Sequence, residues 1–149
     1  MSRVQLALNV PNIDEAVDFY SKLFSTEPNK RKPGYANFAI ADPPLKLVLF
    51  EKVGADSRLN HLGVEVFSTD EVSAAQARLS GEGVDTVEEN GTCCFAEQDK
   101  VWVDGPDGAW EIYTVLEDTD GFGESSAHVD DQGDSLCCAS VPEAEARCC

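Results

Sequence analysis

"LNHLGVEVF" (Leu59–Phe67) alternates along its length, with His61, Gly63 and Glu65 on one face and Leu62, Val64 and Val66 on the other. The following "STDEVSAAQARLSGEG" predicts a helix capped by Ser68 or Thr69. It places Val72, Ala75, Gln76 and Leu79 on one face and ends at Gly81 or Gly83. The same order occurs 56 residues earlier: "VQLALNV..DEA" superimposes on "NHLGVEV..DEV". Gln5 falls on His61, Leu6 on Leu62, Leu8 on Val64, and Asp14–Glu15 on Asp70–Glu71. The chain is therefore expected to be an internal duplication.

Working outward from these strands completes each half. "RVQLALNV" (Arg3–Val10) is a strand, and "NIDEAVDFYSKLF" (Asn12–Phe24) is a helix with Asn12 as N-cap. Its apolar face holds Ile13, Ala16, Val17, Tyr20, Leu23 and Phe24. "GYANFAI" and "LKLVLFE" are strands joined by the turn "ADPP", and "KVGADSR" (Lys52–Arg58) is a polar loop. In the second half, "VDTVEE", "KVWVD" and "AWEIYTVL" are strands, with hairpin signals at Asn90–Gly91 and at "GPDG". The expectation is an α+β protein of two βαβββ modules, residues 1–56 and 57–116, followed by an acidic tail, 117–149. One sheet with one helix cannot cover both its faces, but two such halves side by side can enclose a cavity.

The chain has 149 residues and a net charge of −17. That charge excludes nucleic acid, whose phosphates call for Lys and Arg. No apolar run approaches a membrane span, and no signal peptide is seen, so a soluble cytoplasmic protein is expected. The tail alone carries a net −8, lacks apolar periodicity and is expected to be disordered.

The six cysteines, Cys93, Cys94, Cys137, Cys138, Cys148 and Cys149, all stand in adjacent pairs. Neighbouring Cα atoms lie about 3.8 Å apart, short of the roughly 4.4–6.8 Å that disulfides prefer. Such pairs are not a secreted disulfide framework, and they suggest affinity for a soft ion. Sulfurs on adjacent strand residues point to opposite faces, so a joint grip by Cys93 and Cys94 requires a break from strand geometry. The alternative is two small packed side chains.

Two further residues stand out. His61 is either a packed strand histidine or a ligand. Glu111, in "DGPDGAWEIY" (Asp104–Tyr113), lies between Trp110 and Ile112. By pattern alone it suits the solvent face of a strand as well as it suits a site.

With these residues on view, the chain resembles the vicinal-oxygen-chelate superfamily over about residues 2–116. Its paired βαβββ modules form a cupped mixed sheet around a divalent metal, and its most specific motif here is the run ending at Glu111. The resemblance implies Gln5, His61 and Glu111 as metal ligands, with glutamine where dioxygenases usually carry histidine. "CCFAEQDKVWVDGPDGAWEIY" resembles the branch of organoarsenical carbon–arsenic lyases, near relatives of cadmium-induced proteins. That branch implies Fe(II)- and O2-dependent demethylation of trivalent methylarsenite to arsenite, with Cys93 and Cys94 holding the arsenic. The chain is then expected to act on a small-molecule organoarsenical, as a monomer or a module-swapped homodimer, since both arrangements occur in the superfamily. The alternatives are another extradiol-dioxygenase or glyoxalase-type enzyme, or a non-enzymatic protein that sequesters soft metals or arsenicals.

Overall fold

The computed structural model describes residues 1–106, 108–121 and 123. The first half runs β1 (Arg3–Val10), α1 (Ile13–Phe24), β2 (Lys30–Lys32), β3 (Tyr35–Ile40) and β4 (Leu45–Glu51). The second repeats it as β5 (Leu59–Glu65), α2 (Thr69–Gly81), β6 (Val87–Cys93), β7 (Ala96–Gly105) and β8 (Gly108–Asp118). All eight strands form one sheet in the order β2-β3-β4-β1-β5-β8-β7-β6, the second half repeating the first outward from the middle.

The register obeys the duplication. β1 pairs antiparallel with β5, with Gln5 opposite Gly63 and Ala7 opposite His61. Exchanging each residue for its counterpart 56 positions away turns one pair into the other. β1 pairs parallel with β4, and β5 pairs parallel with β8. Ala7 stands opposite Val48 and Gly63 opposite Glu111, so Val48 is the counterpart of Glu111.

Both helices start as their sequences dictate. The Asn12 side chain accepts from the backbone N–H of Asp14 and Glu15, and the Ser68 side chain from that of Glu71. Helix α1 covers an apolar cluster containing Val10, Ile13, Val17, Phe38, Leu47 and Leu49. Helix α2 lays Val72 on Val66 and Val101. These clusters bury one face of the sheet and leave the other face to line a cavity. No helix among the described residues is long and apolar enough to cross a membrane.

Three local expectations differ from the structure. Leu23 is exposed, because at about 100° per residue it falls at the margin of the stripe defined by Ile13, Val17, Tyr20 and Phe24. Strand β2 is three charged residues on a sheet edge, too short and polar to show periodicity. The hairpin is not at Asn90–Gly91. Those residues pair with Asp99 and Gln98 inside the β6–β7 ladder, and the turn falls at Cys94–Phe95. Of the tail expected from Glu117, the first residues belong to the fold, since β8 runs to Asp118 and the Thr119 backbone bonds to Phe95; the part beyond Gly123, with Cys137, Cys138, Cys148, Cys149 and His128, lies outside the described residues.

Candidate functional site

The inner face of the sheet lines a cavity of about 220 Å³. Gln5 on β1, His61 on β5 and Glu111 on β8 meet in it, all three buried. The Gln5 amide nitrogen lies 2.5 Å from Glu111 Oε1 and 3.0 Å from His61 Nε2. His61 Nε2 is 3.1 Å from Glu111 Oε1. The three residues drawn together from across 106 positions of sequence thus converge at one point. The solvent-facing alternative for Glu111 fails: Glu111 is 3% exposed, whereas its neighbour Trp110 is 38% exposed. Among the described residues no group of three His, Cys, Asp or Glu side chains suits a metal, because the third donor here is an amide.

A chain of hydrogen bonds fixes the imidazole. The backbone carbonyl of Ser57 only accepts, so Asn9 Nδ2 donates to it at 3.0 Å. The Asn9 Oδ1 atom then accepts from Asn60 Nδ2 at 2.9 Å. That leaves Asn60 Oδ1 to accept from His61 Nδ1–H at 2.7 Å. In the neutral ring the proton is therefore on Nδ1, and Nε2 presents a lone pair to the cavity. Two acceptors, His61 Nε2 and Glu111 Oε1, then face each other across 3.1 Å. Such a contact is relieved by a shared proton or by a cation bound between them. An oriented imidazole with a protonated far nitrogen is also how metal-ligating histidines are usually held.

Several supporting residues carried no signal in the sequence. Lys100 on β7 donates to Glu111 Oε2 at 3.0 Å, so the carboxylate's second oxygen is occupied while Oε1 points inward. Gly63 permits the close approach: a Cβ there would lie 2.9 Å from Glu111 Cγ and 3.0 Å from Glu111 O. Farther along the same wall, Glu65 pairs with Arg3 and, at 3.7 Å, with Lys46. Burial lowers the Lys46 pKa, an effect that the Glu65 charge opposes. Burial, then the negative charge of Glu65, pushes the Tyr113 hydroxyl well above its usual value.

The cysteine pair does leave strand geometry. Cys93 ends β6 opposite Ala96, which begins β7, so Cys94 and Phe95 form a two-residue turn. Both have positive φ, 55° and 63°, the left-handed region that type I′ hairpins require. The two Sγ atoms lie 3.1 Å apart, and both residues are buried. Cys94 lines the cavity, while Cys93 packs with Ala7, Tyr35, Val48, Phe50 and Trp102. The turn is held from several sides. Gln98 Nε2 donates to the Cys93 carbonyl at 3.1 Å, and the Phe95 carbonyl accepts from Lys30 Nζ at 2.6 Å and from the Thr119 backbone at 2.9 Å. Lys30 comes from β2, so the first strand edge of one half clasps the hairpin of the other.

Comparison with known proteins identifies the family. Residues 3–123 match the Glyoxalase/Bleomycin resistance protein/Dioxygenase superfamily. The cadmium-induced protein CadI of Mycobacterium tuberculosis is 61% identical over 142 residues, spanning 93% of this chain and 93% of that protein. The trivalent organoarsenical cleaving enzyme of Thermomonospora curvata is 56% identical over 141 residues, spanning 93% of this chain and 89% of that enzyme. The fold alone is shared with the Mn(II)-bound glyoxalase from Novosphingobium aromaticivorans. That likeness has a TM-score of 0.56 at 17% identity and covers 85% of this chain and 44% of the other. This chain therefore belongs to the glyoxalase, bleomycin-resistance and dioxygenase superfamily and, within it, to the group that includes CadI and the trivalent organoarsenical cleaving enzymes.

Proposed function

We propose that the protein cleaves the carbon–arsenic bond of trivalent organoarsenicals such as methylarsenite, using Fe(II) and O2 and yielding arsenite in the cytoplasm. The observation that carries this reading is the meeting, in one cavity, of the Gln5–His61–Glu111 triad with Cys94 of a paired-thiol turn. Relatives named for organoarsenical cleavage at 56% and 39% identity support it.

The triad fits a divalent metal on its own chemistry. His61 Nε2 and Glu111 Oε1 are lone-pair atoms 3.1 Å apart that a cation can join, and rotating the Gln5 amide by half a turn about its last bond presents its carbonyl oxygen instead. Imidazole and carboxylate with a neutral oxygen donor suit ferrous iron and leave coordination positions open. Iron held there would supply the oxygen chemistry that no side chain provides. Val48, standing where a second carboxylate would stand by the duplication, keeps that flank of the site apolar.

The residues themselves bind and orient. Each thiol of Cys93 and Cys94 exchanges with an arsenic hydroxyl, forming an As–S bond and releasing water, with no change in oxidation state. The left-handed turn brings both sulfurs to one atom and fixes the carbon substituent relative to the triad. Lys100 keeps Glu111 turned inward.

The test is anaerobic purification and titration. One equivalent of Fe(II) should bind, and O2 should then be consumed in step with methylarsenite. A second reading, soft-ion sequestration, is favoured by the buried thiol pair and by relatives named cadmium-induced. It predicts tight thiol binding of the arsenical with no O2 uptake, and that result would replace the proposed activity.

A further inference from the structure

Two polar atoms on the cavity wall have no hydrogen-bond partner among the described residues: Tyr113 Oη and Gln98 Oε1. Their residues are 2% and 7% exposed. A buried polar atom left unpaired is costly and rare, so each is expected to have a partner in the working state. They are neighbours across the β7–β8 ladder. Tyr113 stands opposite Lys100 and Gln98 opposite Val115, which makes them a diagonal pair on one face. Tyrosine offers a donor and the amide oxygen is an acceptor. Together they complement one group that both accepts and donates, a hydroxyl.

The place of this pair identifies whose hydroxyl it is. Gln98 also donates through Nε2 to the carbonyl of Cys93, so its free oxygen is fixed relative to the thiol turn. Cys94 lines the same cavity. We infer that Tyr113 and Gln98 form a subsite for the hydroxyl of the arriving arsenical, R–As(OH)2, and select hydroxylated trivalent arsenic for exchange onto the thiols. This rests on the organoarsenical reading given above. In the exchange an As–O bond breaks and an As–S bond forms. The thiol proton passes to the departing oxygen, which leaves as water, and arsenic stays trivalent. Tyr113 donates a hydrogen bond to that oxygen as it leaves, and Gln98 accepts one from it.

The discriminating variant is Tyr113→Phe, which removes one oxygen and no packing. The probe is methylarsenite, mixed without O2 with the full-length protein. Its arrival is followed by the fluorescence of Trp102, which is buried in one cluster with both cysteines. Alkylation of Cys93 and Cys94 by iodoacetamide, which needs a thiol but carries no hydroxyl, is the control, read by peptide mapping apart from the other four cysteines. The association rate of methylarsenite is expected to fall about tenfold, the worth of one such hydrogen bond. Alkylation should be unchanged, and the melting temperature unchanged or raised, because an orphaned buried hydroxyl has been removed. An unchanged arsenical rate in Tyr113→Phe overturns the subsite. So does an equal fall in alkylation, which would mean that the turn itself was disturbed. Failure of the unsubstituted protein to bind methylarsenite at all would instead overturn the thiol-pair reading beneath it.

Discussion

Gly63→Ala is the smallest change that reaches the candidate metal site. The added methyl would lie 2.9 Å from Glu111 Cγ, 3.0 Å from Glu111 O and 3.4 Å from Gln5 Cβ. Ordinary carbon contacts are about 3.5–4.0 Å, so something must move by roughly half an ångström. Neither neighbour yields freely. The Glu111 carbonyl belongs to a strand paired with β5, and the carboxylate is held by Gln5 and Lys100. Overpacking of this kind costs about 1–3 kcal/mol, offset by about 0.5–1 kcal/mol because alanine suits a strand better than glycine. The net cost is about 0–2.5 kcal/mol, so the melting temperature should fall by no more than roughly 10 °C. Ligand distances tolerate only about 0.2 Å, so Fe(II) affinity should fall at least tenfold. The comparison is built into the fold. Ala7, the counterpart of Gly63, carries its methyl without conflict because Val48 stands where Glu111 would be. Anaerobic Fe(II) titration and thermal melts of the two proteins are the assay. Wild-type metal affinity in Gly63→Ala would refute the claim that this glycine sets the position of Glu111.

Other expectations follow from the same contacts. Glu111→Gln and Glu111→Ala should both abolish metal-dependent turnover, and Glu111→Ala should also be less stable because it loses the hydrogen bond from Lys100 and leaves a cavity; chemical denaturation separates the two. Cys93→Ser or Cys94→Ser should retain iron and lose arsenical binding and turnover, measured by metal analysis and isothermal titration; full turnover in either would end the thiol-clamp proposal. Truncation after Gly123 should leave the melting temperature unchanged, while truncation after Leu116 should lower it by severing Lys30–Asp118 and the Thr119 bond to Phe95. The buried Tyr113 hydroxyl titrates above its unfolded value of 10.0, so its contribution to stability is complete below that pH and is lost as pH rises through the folded value. Denaturation midpoints across alkaline pH should therefore decline less steeply in Tyr113→Phe than in the unsubstituted protein.

The duplication was legible because strand alternation and helix capping are local signals, and both appear twice at one spacing. The equivalence of Gln5 with His61 followed directly, and the structure places the pair 3.0 Å apart. The hairpin was misplaced for an instructive reason. Asn90–Gly91 is the stronger local turn signal, but sheet register extends β6 through it and gives the turn to Cys94–Phe95, a pair disfavoured at positive φ. Local preference was overruled by strand register, at the turn that sets two sulfurs side by side. Lys100, Gln98 and Tyr113 stayed silent because their roles depend on which strands neighbour β7 and β8, and no spacing in the sequence carries that. β2 is charged throughout, and its purpose lies in the partners it meets across the rim of the sheet.

The hydrogen-bond relay from Ser57 through Asn9 and Asn60 to His61 gives the connecting loop a remote influence. Its origin is a single main-chain carbonyl on a surface segment that looks like a passive link between the halves. Turning that carbonyl away would release Asn9, let both amides invert, and leave the imidazole free to choose its other tautomer. The electron-donating power of the histidine is thus adjustable from outside the cavity, by the length and conformation of residues 52–58. Under the metal reading proposed above, a change in this loop would alter the donor at His61 with the inner wall untouched.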